Sequence, residues 1–149
     1  MNQIIFLLRQ AGKSPEDIYR DVLSLFKGVP YVWGGSSFEY GSDCSGTVCT
    51  ALNAAFNRDE NPLRVTAHEL FIRYFTEISE DSERIGALFF TDKSGKAVHV
   101  SGRISSFCYM NMSMAEPSHT GQVRSFNELK KLYPHLTIHY RSLKKDGWK

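Results

Sequence analysis

The chain holds three cysteines, Cys44, Cys49 and Cys108. An odd, small number cannot form a complete set of disulfides, so a disulfide-stapled scaffold is not expected. Cys44 and Cys49 stand with four residues between them and no second close Cys/His pair elsewhere. That spacing does not make a zinc site, and no metal is expected. Neither sign of charge dominates: 18 basic against 16 acidic side chains leave a formal +2. Nucleic acid and anionic membrane surfaces are therefore not expected as partners. The one basic cluster, Arg141 to Lys149, reads as a solvated tail.

Long hydrophobic runs are also missing. The apolar stretch IIFLL (Ile4–Leu8) has no basic residue before it and no small-residue cleavage site after it. It is too short for a signal-peptide core, and nothing approaches a membrane span. The expectation is a cytoplasmically made protein with no signal peptide. Repeats, low-complexity tracts and linkers are lacking too, so residues 1–149 read as a single domain large enough for a real core.

Asn2–Arg9 reads as a short apolar helix. SPED opens a second helix, with Ser14 as cap, Pro15 in the first turn, and Glu16 and Asp17 at the positive dipole end. Ile18, Val22, Leu25 and Phe26 share its inner face, and Gly28 and Pro30 stop it. Asp43 caps a helix from Cys44 to about Phe56, whose Val48, Leu52 and Phe56 recur every four residues. TAHE, Thr66 with Glu69, is a capping box for a further helix with Leu70, Phe71, Tyr74, Phe75 and Ile78 turned inward. After Ser82 the period shortens. IGALFF, KAVHVSGRI, FCYMNMSM and Leu136–Leu143 read as strands, with a short helix capped by Ser125 and Glu128 before the last. Helices first and mostly antiparallel strands afterwards define an α+β fold.

Glycine, serine and aromatic residues crowd the stretch YVWGGSSFEYGSDCSG (Tyr31–Gly46), which ends on a thiol. A cysteine in the first turn of a helix meets free N–H groups and a positive dipole end, which favour a thiolate and can hold an oxyanion. The adjacent Asp43 opposes the thiolate by like charge, so a cationic partner is wanted, and histidine is the natural one. His68 reads as surface, His119 lies in a loop, and His135 and His139 flank the last strand. His99 stands mid-strand among apolar neighbours, where a base can be held rigidly.

Pro30, Tyr31, Trp33, Gly34, Gly35, Asp43, Cys44, Ser45 and Gly46 resemble the P-Y-x-W-G-G … D-C-S-G block of the NlpC/P60 family of papain-like cysteine endopeptidases. NPLRVTAHELF, IGALFF and HVSGRI resemble later blocks in the same order, over about residues 20 to 115. The resemblance implies a papain-like NlpC-type fold with Cys44 as nucleophile and His99 as base. The family's third polar residue, twelve positions after the histidine, falls on Asn111, with Glu116 and His119 as substitutes if the strand slips. Tyr31, Trp33, Asp43 and Ser45 would bind substrate. The implied reaction is hydrolysis of peptidoglycan stem peptides after γ-D-glutamate and before the diamino acid, with no cofactor. A missing export signal suits delivery with phage or prophage tail proteins. The same arrangement also serves CHAP-type amidases, acyltransferases, or a catalytically silent tail module. Departures are Ser101-Gly102-Arg103 after the histidine, Gly86-Ala87 in the preceding strand, and an unmatched stretch after residue 115.

Overall fold

The computed structural model describes residues 3–79 and 81–145. Asn2 and the last four residues of the basic tail lie outside them. Two helices open the chain, α1 (Gln3–Gln10) and α2 (Pro15–Ser24). The Ser14 side chain accepts from the Asp17 N–H, closing the first turn of α2 as the sequence predicts. Because α2 ends at Ser24, Leu25 falls outside it and is only half-buried, while Tyr19 and Leu23 take full burial beside Val22.

A small hairpin, β1 (Ser36–Ser37) with β2 (Gly41–Ser42), leads into α3 (Cys44–Ala55). Next comes α4 (Ala67–Glu69), capped by the Thr66–Glu69 box and continued by a π-helical turn, Leu70–Tyr74. The widened turn closes with the Phe75 N–H on the Leu70 carbonyl and ends the helix there. Leu70 and Phe75 are buried, but Ile78 is 77 % exposed, contrary to the expected inward face. It lies beyond the helix, on an extended segment bridged to Ser142 through Glu77.

Five antiparallel strands follow: β3 (Gly86–Thr91), β4 (Ala97–Arg103), β5 (Tyr109–Asn111), β6 (Gln122–Arg124) and, after α5 (Phe126–Leu132), β7 (Thr137–Ser142). Their order across the sheet is β6-β5-β4-β3-β7. The expected strand FCYMNMSM shrinks to Tyr109–Asn111, and β6 was not anticipated. One sheet face carries Ala87, Phe89, Val100 and Met110 against α2 and α3. The other carries Leu88, Phe90 and Tyr109, covered by Leu129 of α5. Both faces are thus buried, so polar residues facing the α5 side are inside the protein and need partners.

The Gly-rich loop is clamped on the start of α3. The Asp43 N–H donates to the Gly35 carbonyl at 3.0 Å, and the Asp43 side chain caps α3 at the Gly46 N–H. A methyl group on Gly46 would overlap the Gly35 carbonyl oxygen, so only glycine permits this approach. Gly46→Ala should therefore destabilise the protein by about 1–2 kcal/mol, the overpacking strain being partly offset by alanine's better helix propensity. Urea unfolding of both proteins measures this. An unchanged midpoint would mean that loop and helix are not clamped.

Candidate active site

Cys44 occupies the first turn of α3, half-buried at the edge of a cleft of about 950 Å³. Its cap, Asp43, has no idle oxygen. Oδ1 accepts from the Gly46 N–H at 2.7 Å and Oδ2 from the Gly34 N–H at 2.9 Å. Arg64 Nη2 donates to both oxygens at 2.9 and 3.0 Å, and Arg64 Nη1 donates to Ser45 Oγ at 3.0 Å. The cation that offsets the Asp43 charge beside the thiol is therefore Arg64, which the sequence reading did not single out.

The β4–β5 ladder begins at Gly102 paired with Met110, so β4 is free of β5 at Val100 and His99. The start of α3 lies against this stretch. The Val100 backbone N–H favours negative charge on the Cys44 sulfur, as do the N–H groups of Ser45 and of Cys44 itself. His99, one residue before Val100, lines the same cleft. Its Nε2 lies 2.7 Å from Asn111 Oδ1, across twelve residues of sequence. Ser101 Oγ donates to the same Asn111 oxygen at 2.8 Å. The Tyr133 ring stacks on the His99 ring at 4.8 Å and 29°, and its hydroxyl stands 3.2 Å from Nε2. Behind Asn111, its Nδ2 donates to Glu116 Oε2 at 2.7 Å, and Glu116 is paired with Arg124 at 2.7 Å. Glu116 therefore backs Asn111 rather than replacing it. His119 makes a different contact: its carbonyl accepts from the Tyr31 N–H at 2.8 Å.

Burial dominates the electrostatics. It pushes the Cys44 thiol up to about 11, with Asp43 adding to the rise and the N–H groups of Val100, Ser45 and Cys44 opposing it. It pushes His99 down to about 4, against the Asn111 hydrogen bond and the Glu116 charge. Burial thus works against the thiolate and against the imidazolium, each taken alone. The expectation of a thiol lowered by its helix start is reversed, because the sulfur loses more solvation than three N–H groups return.

Tyr31 and Trp33 also line the cleft. Burial, then the Cys44 and Asp43 charges, raise the Tyr31 hydroxyl. Trp33 is 86 % exposed, so it is wall and not packing. His68 was expected on the surface, but it lines the cleft, with Nδ1 accepting from the Ala97 N–H at 3.1 Å. A neutral ring bound this way carries its proton on Nε2. Lys96 stands on the same rim. Of the residues not found from sequence, Ser101 stands only as a departure from the family pattern, Arg64 lies inside the NPLRVTAHELF block without being singled out, and Tyr133 carries no motif.

The NlpC/P60 family model matches residues 28–149, and the chain belongs to that family. The match runs to the C terminus, past the residue 115 where the recognisable blocks end. Among solved structures, the fold is similar to NlpC1 from Trichomonas vaginalis (TM-score 0.62, 16 % identity, 88 % of this chain and 44 % of that one). It is also similar to a lipoprotein-like NLP/P60 family protein from Staphylococcus aureus (0.65, 18 %, 89 % and 42 %). A third is the NlpC/p60 domain of the peptidoglycan hydrolase SagA (0.58, 18 %, 87 % and 97 %). The chain spans less than half the length of the first two and nearly all of the third. No curated protein matches the sequence.

The two displaced ionisations set a pH dependence of stability. His99 titrates lower folded than unfolded, so between about 6.5 and about 4 the unfolded chain binds more protons and stability falls with falling pH. Cys44 titrates higher folded, so stability falls as pH rises from 9.0 towards about 11. The acid limb should be worth on the order of 3 kcal/mol at 1.36 kcal/mol per unit. Denaturant unfolding across pH should show it in wild type and lose most of it in His99→Gln. Equal acid limbs would show that His99 is not held neutral.

Proposed function

We propose that the protein is a cysteine endopeptidase that hydrolyses peptidoglycan stem peptides, cutting after γ-D-glutamate and before the diamino acid. The observation that carries this is the His99–Asn111 contact of 2.7 Å beside the helix start that bears Cys44, at an open cleft in an NlpC/P60 chain. A peptidoglycan hydrolase, SagA, has a domain of this fold.

In this mechanism Cys44 gives its proton to His99 Nδ1 as the sulfur attacks the γ-glutamyl carbonyl carbon. The oxyanion is held by the N–H groups at the start of α3, with the Tyr31 hydroxyl beside them. The C–N bond breaks as His99 passes its proton to the leaving amine. Water, activated by the freed Nδ1, then splits the thioester, returning the thiol and releasing a γ-carboxylate. Nε2 keeps its proton throughout, donated to Asn111 Oδ1. Arg64 and Ser45 line one wall for polar groups of the peptide, with Asp43 holding Arg64 in place. Trp33 offers an exposed face to the peptide or the attached glycan. On the rim nearest His99, Lys96 and the His68 Nε2–H supply donors for a carboxylate on the diamino acid.

A muropeptide digest followed by mass spectrometry tests the reading. Wild type should release a peptide with a new amine on the diamino acid. An amidase would free the whole stem peptide from the sugar instead. Cys44→Ala and His99→Ala should each lower kcat by at least about a thousand-fold, with unchanged folding. Undiminished cutting by Cys44→Ala would refute the mechanism. Trp33→Ala should raise KM several-fold and leave kcat and Tm alone.

A further inference from the structure

The Asn111 amide has two ends of nearly the same shape, and turning it over would present N–H groups instead of an oxygen to His99. Its neighbours decide which way it faces. Glu116 Oε2, 2.7 Å away, belongs to a carboxylate that only accepts, so the end of Asn111 facing it is the NH₂. The Asn111 oxygen then faces Ser101 Oγ and His99 Nε2. That oxygen also only accepts, so Nε2 must carry the imidazole proton. Nδ1 is left with a lone pair.

Glu116 is itself fully buried, and a buried carboxylate needs a partner. Arg124 provides one from β6. Its Nη2 donates to Oε1 at 2.7 Å, and its Nε reaches Oε2 at 3.1 Å and Oε1 at 3.2 Å. The guanidinium fork holds both oxygens and fixes the carboxylate plane. Glu128 lies on the outer side of Arg124, at 3.5 Å, and completes the line. Polar atoms thus run unbroken from solvent at Arg124 to the imidazole, through a side of the sheet otherwise filled by Phe90, Tyr109 and Leu129.

We infer that Glu116, clamped by Arg124, is a positioning residue: it locks the Asn111 amide and through it selects the His99 tautomer able to take the Cys44 proton. As a statement about catalysis this rests on the peptidase reading. As a statement about the imidazole it does not, and the experiment separates the two.

Glutamine at position 116 is the informative change, because its amide can either donate or accept. Either orientation of Asn111 then finds a partner, and the lock is gone. In Glu116→Gln, iodoacetamide alkylation of Cys44 at pH 7 and kcat on muropeptide should both fall by roughly ten- to hundred-fold, the scale of losing a supporting partner. Adding Asn111→Asp should restore both, since an aspartate can only accept from His99 and the glutamine amide introduced at position 116 can donate to it. A role confined to packing predicts no such rescue. Nitrogen NMR of the imidazole should show protonated Nε2 in wild type and a mixture of tautomers in the single variant. Wild type protonated at Nδ1 overturns the inference without any variant being made, so a Glu116→Gln protein that fails to fold does not shield it. Wild-type alkylation and kcat in a folded Glu116→Gln, or no recovery in the double variant, overturn it too. A wild type with the Nε2 proton and His99-dependent alkylation, yet no muropeptide cleavage, supports the lock and refutes the peptidase reading.

Discussion

Everything at the site depends on the seating of α3 against the uncovered stretch of β4. The thiol comes from a helix and the imidazole from a strand far along the chain, so no local geometry brings them together. The seating is fixed from two sides. On one, the Gly35 carbonyl and the Asp43 cap hold the first turn of α3 at a distance only Gly46 allows. On the other, β5 does not pair with β4 at Val100, whose N–H favours negative charge on the sulfur. The shortness of β5 is therefore a requirement. A ladder extended along β4 towards Ala97 would cover the edge on which the cysteine rests.

The second demand comes from burying polar groups. His99, Ser101, Asn111 and Glu116 all lie inside, on a face shared with an apolar cluster. Each would be costly there without a partner. Ser101 shows how the demand is met. At a position where the family pattern has glycine, its hydroxyl fills the second acceptor site of the Asn111 oxygen. What reads in sequence as a departure from the pattern is, in the fold, part of the support of the imidazole.

What could be read from the sequence was whatever repeats or sits close in the chain. The period of α3, the caps at Ser14, Thr66 and Ser125, and the short apolar runs of β3 and β4 all act within a few residues. The His99–Asn111 pairing was legible only through the family resemblance, whose third polar residue stands twelve positions after the histidine. Arg64, Tyr133 and Arg124 were not legible. Each arrives from a separate element and earns its place only by a three-dimensional contact. Ile78 failed differently. Its spacing continued a helical stripe, but the π-helical turn ended the helix before it. The thiol's ionisation was misjudged because dipole and N–H effects are visible in a local motif, whereas desolvation depends on what the rest of the chain stacks around it.

That desolvation bears on how such a site would work. Neither ion is favoured alone: the thiolate lacks water, and so does the imidazolium. In the proposed mechanism, moving one proton from sulfur to Nδ1 creates both ions at once, and their attraction is strong for the reason each is costly, the low polarity around them. The Glu116 charge favours the imidazolium, while Arg124 balances Glu116 before any reaction begins. Charge separation is thus available at the moment of attack, when the negative charge can pass on to the carbonyl oxygen and the N–H groups of α3.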